Sequence, residues 1–167
     1  DSSGLNLVGM DTLTNSNNKF INNEITNFSY GIVSLGLDYL QKSNGGAWTR
    51  YYNINNIFRN NYIHGCYTGG IVIGNEENAL IEGNRIDTIA RPTSDIGWYY
   101  VINTDPFFTQ LSSPALFDRF TTGIKAGGDT LSAVMNLRIV NNEVSNIASE
   151  SHATGIHVEQ QQTMYSS

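Results

Sequence analysis

Charge is scarce in this chain. Asp, Glu, Lys and Arg make up 14% of its 167 residues, where an ordinary soluble domain carries about 25%. Basic residues are scarcer still: 9 Lys and Arg stand against 15 Asp and Glu, a net charge of −6. Such a chain lacks the positive footprint with which a domain grips nucleic acid or an anionic membrane. Its single cysteine, Cys66, excludes a disulfide framework and a cysteine-based zinc site. Apolar runs are short, none approaching the ~18 residues of a membrane span. Also missing is any hydrophobic period near about 3.6 residues, so no amphipathic helix is expected. No charged-then-apolar leader follows Asp1, and no amphipathic cap precedes Ser167. Both ends therefore read as cut from a longer polypeptide.

What is present forms a core. Apolar residues are 40% of the chain and aromatic ones 11%, too much for disorder, and the length suits one domain over residues 1–167. Asparagine, at 21 residues, and isoleucine, at 17, stand where charge would be.

The asparagines mark a repeat. Four segments align on Asn23, Asn61, Asn84 and Asn142. Three residues earlier stand Phe20, Phe58, Ile81 and Ile139; two later, Ile25, Ile63, Ile86 and Val144; five later, Phe28, Cys66, Ile89 and Ile147. The residue directly after each asparagine varies: Glu24, Tyr62, Arg85, Glu143. Apolar columns beside a variable polar column are what inward- and outward-facing positions of stacked strands require. A second short strand follows in each unit, at Gly31–Ser34, Gly70–Ile73, Gly123–Ala126 and Gly155–Val158. Alternation turns Ile32, Ile71, Ile124 and Ile156 inward, and Val33, Val72, Lys125 and His157 outward.

Short strands between Asn/Gly turns argue for an all-β repeat. The tightest unit, Asn61 to Asn84, is 23 residues, the right size for one coil of a parallel β-solenoid. Four to five coils at ~4.8 Å each make a rod roughly 20–25 Å long. Each aligned asparagine is expected to hold the left-handed corner between strands and to join an amide ladder running from coil to coil.

The pattern N-N-x-I followed by G-I-x-V, over roughly residues 18–160, resembles the right-handed parallel β-helix repeat of the pectin-lyase-like superfamily. The resemblance implies a right-handed parallel β-helix and leaves activity open, because that superfamily spans lyases, glycoside hydrolases, tailspikes, adhesins and cell-surface proteins. The Asn-rich, charge-poor style is also similar to long secreted bacterial surface proteins, and it implies a secreted, extracellular or cell-surface setting.

Two insertions depart from the repeat, at about 37–52 and 90–121, and solenoids place function in such insertions. The second holds Trp98, Tyr99, Tyr100, Asp95 and Asp105, and the matching corner of the fourth coil carries His152. Aromatic platforms beside carboxylates are the materials of a carbohydrate site, so these six are the candidate carbohydrate-binding residues. Enzyme motifs are incomplete: Asn103-Thr104-Asp105 resembles the first acidic motif of polygalacturonases, but the rest of that set is missing. No catalytic residue, metal ligand or cofactor is assigned. Glu76-Glu77 reads as solvated surface in a tight turn, His64 as a turn residue, and Lys125–His157 as an exposed pair ~5 Å apart.

Two readings remain. One is a structural, adhesive or assembly segment whose open ends meet neighbouring copies or the rest of its own chain. The other is a polysaccharide lyase, glycoside hydrolase or carbohydrate-binding module that uses the 90–121 loop.

Overall fold

The computed structural model describes residues 14–40, 49–90, 120–127, 134–149 and 152–159, and every regular element among them is a β-strand. The first repeat contributes β1 (Lys19–Ile21), β2 (Glu24–Thr26) and β3 (Tyr30–Leu35). The strands β4 (Leu37–Leu40) and β5 (Thr49–Tyr51) follow and pair antiparallel with each other. The second repeat is β6 (Asn53–Ile54), β7 (Ile57–Arg59), β8 (Tyr62–Cys66) and β9 (Gly69–Gly74). The third is β10 (Glu76–Glu77), β11 (Leu80–Glu82), β12 (Arg85–Ala90) and β13 (Phe120–Gly127). The fourth is β14 (Val134–Met135), β15 (Arg138–Val140), β16 (Glu143–Ala148) and β17 (His152–Glu159).

Equivalent strands of successive repeats pair in parallel, giving the sheets β1-β7-β11-β15, β2-β8-β12-β16 and β3-β9-β13-β17 and the smaller β6-β10-β14. The apolar columns of the sequence are the paired columns of these sheets. Phe20, Phe58, Ile81 and Ile139 align, as do Ile25, Ile63, Ile86 and Val144, and Ile32, Ile71, Ile124 and Ile156. In the middle repeats these side chains are fully buried and form one core with Cys66 and Ile89. Each buried isoleucine or phenylalanine contributes roughly 1.5–3 kcal/mol. The outermost members are less covered: Phe20 is 40% exposed, Phe28 62% and Ile156 47%.

Three left-handed residues recur in each repeat, five positions apart, the first two at turns and the third within a strand in every repeat but the first. The columns are Asn17, Asn55, Asn78 and Asn136, then Asn22, Asn60, Gly83 and Asn141, then Asn27, Gly65, Thr88 and Asn146, all with φ between 51° and 63°. Asparagine tolerates this conformation because its short amide bonds locally, and glycine because it has no Cβ. This corrects the sequence expectation in two ways. The left-handed residue is the one before each aligned asparagine, Asn22, Asn60, Gly83 and Asn141, and the aligned asparagine itself is not left-handed and bonds from repeat to repeat. And His64 lies within β8, as does its left-handed neighbour Gly65.

These amides form the ladder. Asn23 Nδ2 donates to Asn61 Oδ1 at 2.9 Å, Asn61 Nδ2 to Asn84 Oδ1 at 2.9 Å, and Asn84 Nδ2 to Asn142 Oδ1 at 2.9 Å. Each backbone N–H donates to the same oxygen, at 3.1, 3.0 and 2.9 Å. The second amide hydrogen reaches back to a carbonyl of the preceding repeat: Asn61 to Phe20, Asn84 to Phe58, Asn142 to Ile81. A buried amide with all its valences met stabilises the stack where an unpaired one would cost about 1–3 kcal/mol.

A glycine column packs beside it. A Cβ on Gly70 would lie 2.5 Å from Gly123 O and 2.6 Å from Ile86 Cγ2, and one on Gly31 2.4 Å from Ile63 Cγ2. The sheet carrying β3, β9, β13 and β17 therefore sits against the isoleucine column of its neighbour at a distance only glycine permits.

Two further expectations are overturned. Glu76 is fully buried, because its register with Asn53 and Val134 puts it in an inward column. Val72 and Lys125, outward by alternation, are 2% and 6% exposed, so the outward positions of β9 and β13 are buried as well as the inward ones.

Candidate functional site

The outer face of the β2-β8-β12-β16 sheet gathers the reactive side chains of the described residues. Its first column is the variable one: Glu24, Tyr62, Arg85 and Glu143. The second is Thr26, His64, Asp87 and Ser145. His64 Nε2 lies 3.0 Å from Glu24 Oε1, and Nδ1 lies 3.4 Å from Thr26 Oγ1. The imidazole stacks on Tyr62 with centroids 4.3 Å apart, and Arg85 Cζ lies 5.0 Å from the Tyr62 ring centre. Asp87 accepts from Asn146 Nδ2 at 2.7 Å and from Ser145 Oγ at 3.0 Å, and these donors hold its carboxyl below the usual carboxylate range.

Hydroxyl, imidazole and carboxylate in a row are the order of a nucleophilic relay. The geometry does not complete one. The Thr26–His64 contact is long, and Glu24 is 68% exposed on an open sheet face. The strand backbone on this face is occupied by the parallel pairing, which leaves no oxyanion donors aimed above it. What these groups do is join one repeat to the next, as Arg59 Nε does with Glu82 Oε2 at 2.7 Å.

The interior holds the more unusual carboxylate. Glu76 Oε1 accepts from Ser34 Oγ and, at 3.0 Å, from Asn53 Nδ2, while Asn56 Nδ2 lies 3.1 Å from both carboxylate oxygens. Burial pushes its carboxyl above the ordinary range, against the opposing pull of Ser34, Asn53 and Asn56. The donors come from the first and second repeats and the acid from the third, so one side chain ties three repeats together. Nothing in the sequence near Glu76 signals this, except that it stands in the same frame as Asn53. The Cys66 thiol, also inside, is pushed up by burial.

Of the six residues assigned from the sequence, Trp98, Tyr99, Tyr100, Asp95 and Asp105 lie outside the described residues. His152 opens β17, exposed and in register with Phe120. The expected Lys125–His157 pair are register partners, but Lys125 is buried and His157 Nε2 faces Glu159 Oε2 at 3.5 Å. Among the described residues no three His, Cys, Asp or Glu side chains are placed to hold a metal ion, and no helix is long and apolar enough to cross a membrane. A hollow of about 400 Å³ opens at the last repeat, lined by Val134, Asn136, Leu137, Ile139 and Val158.

No protein-family model matches the chain, and no curated protein or solved structure is significantly similar to it.

Proposed function

We propose that this chain is a segment of a right-handed parallel β-helix in a secreted or cell-surface protein, with a structural, adhesive or assembly role. One observation carries the reading: the polar side chains of the described residues bond chiefly from repeat to repeat instead of converging on a cleft. The ladder from Asn23 to Asn142, buried at Asn61 and Asn84, the Glu76 cluster, Glu24–His64, Arg59–Glu82, Asp87–Ser145 and the exposed pairs Asn17–Asn55 and Asn78–Asn136 all run along the stack. Such an arrangement stiffens a rod and recruits no substrate.

The test pairs shape with ligand. Small-angle scattering of the full chain is expected to give an elongated particle, and a polysaccharide panel is expected to show neither binding nor turnover. A glycan bound by the wild type and lost in Trp98→Ala would replace this reading with the carbohydrate-binding one. Surface labelling of intact source cells with an antibody to this chain tests the location, and labelling only after lysis would refute it.

A further inference from the structure

Two amide rungs of the interior end on Glu76. The backbone N–H of Asn15 donates to Asn53 Oδ1 and that of Asn18 to Asn56 Oδ1, both at 2.9 Å. A backbone N–H can only donate, so these contacts fix which end of each amide is oxygen and turn both NH2 groups towards the Glu76 carboxyl. We propose that Glu76 is a proton-operated latch on the corner where β6, β10 and β14 pair: protonated, it holds the corner closed, and ionised, it lets the corner open while the rest of the stack stays folded. This goes beyond the structural reading above and does not depend on it.

The corner is the thinnest part of the stack. The strands β6, β10 and β14 have two residues each, against three to eight in the other parallel sheets. Its inward column runs Asn53, Glu76 and Val134, where the other sheets set isoleucine and phenylalanine over one another. Polar contacts therefore do here what apolar burial does elsewhere, and they meet on a single carboxyl.

That carboxyl has two states with different bonds. Ionised, it accepts from Ser34 Oγ, Asn53 Nδ2 and Asn56 Nδ2. All three donors are neutral, and among the described residues no charged side chain faces it: its column holds Asn53 and Val134, and the neighbouring Glu77 alternates outward and is half-buried. A fully buried charge with no counter-charge is unfavourable, and burial accordingly favours the acid form. The acid has one place for its proton. Asn53 and Asn56 present only donors, so the hydrogen goes to Ser34 Oγ, which changes from donor to acceptor. Ser34 belongs to β3 and Glu76 to β10, so this proton ties the first repeat to the third. Ionisation reverses that bond and leaves a charge inside a two-residue sheet, which reaches water only when the corner opens.

The experiment is amide hydrogen exchange of the full chain, followed by NMR across a pH series and corrected for intrinsic exchange, in wild type and Glu76→Gln. The corner is reported by the N–H groups of Asn53 and Asn55, which bond to Asn75 O and Glu77 O at 2.9 Å. The rest of the stack is reported by those of Asn61 and Asn84 in the ladder. In wild type the protection of Asn53 and Asn55 is expected to fall about tenfold per pH unit from the ordinary glutamate range up to the titration of Glu76, and to level off above it. Asn61 and Asn84 are expected to keep their protection, and Glu76→Gln to remove the pH dependence at the corner. The same pH course in both proteins overturns the proposal, and so does a ladder that loses protection in step with the corner. Should Glu76→Gln fail to fold, the carbon-13 shift of the wild-type Glu76 carboxyl decides: a midpoint where the protection of Asn53 levels off supports the latch, and one within the ordinary glutamate range overturns it.

Discussion

Replacing Asn84 by leucine tests the ladder at its most buried link. Asn84 is 1% exposed; it donates to Asn142 Oδ1 and Phe58 O and accepts from Asn61 N and Nδ2. Leucine has nearly the same shape but returns none of these bonds. It orphans the backbone N–H of Asn61 and one of its amide hydrogens, both in a residue 1% exposed. Two orphaned donors at ~1–3 kcal/mol each give about 2–6 kcal/mol, and the leucine's own burial offsets roughly 1 kcal/mol of it. Asn23→Leu supplies the control. Asn23 is exposed, no described residue donates to its side-chain Oδ1, its backbone carbonyl keeps the N–H of Tyr62 at 2.8 Å, and Asn61 Oδ1 keeps the backbone N–H of residue 23. That change should cost less than about 1 kcal/mol. Urea titrations followed by circular dichroism measure both, with an unchanged denaturant slope confirming that the transition is the same one. Equal midpoints for the two variants would refute the directional ladder, because chemically identical substitutions would then ignore the donor and acceptor inventory.

Three more outcomes follow from packing, backbone and charge. Gly70→Ala should destabilise by about 1–3 kcal/mol or more, since its Cβ would meet Gly123 O at 2.5 Å, whereas Gly155→Ala, whose nearest neighbour is 3.8 Å away, should be close to neutral in the same titration. Thr88 holds φ 54° in a column otherwise made of asparagine and glycine, so Thr88→Asn should raise stability by about 1 kcal/mol; a fall in melting temperature would refute the strain. Glu76, with its carboxyl raised by burial, favours the folded state when protonated, so this contribution is full below the unfolded carboxyl range and is lost as pH rises through the raised native value. Wild type should therefore lose stability relative to Glu76→Gln as pH rises above the ordinary glutamate range, and a difference that does not change with pH would exclude the buried acid as its source.

The outward column Glu24, Tyr62, Arg85 and Glu143 was visible in the sequence as the variable position of the repeat. Its pairing was not, because Glu24 and His64 are 40 residues apart and meet only once the repeats are stacked in register. His64 was hidden further by Gly65, whose turn chemistry masked a continuing strand. Glu76 was misplaced for the opposite reason: two adjacent acids suggest solvent, and burial of one depends on donors from Ser34, Asn53 and Asn56 in other repeats.

The sequence by itself determined the frame. The all-β character, the four aligned units and the inward columns around Phe58, Ile63, Ile71, Ile81 and Ile86 follow from side-chain alternation and a recurring asparagine, both local properties of the chain. Only the tertiary structure decided how the polar atoms are satisfied. Which residue of each pair turns the backbone and which carries the ladder depends on the hydrogen-bond partners one repeat away. The burial of Val72 and Lys125, outward by alternation, is likewise absent from the strand pattern. A repeat pattern specifies which residues lie on the same face; the neighbours across that face, and hence the cost of every buried polar group, exist only after the repeats are stacked.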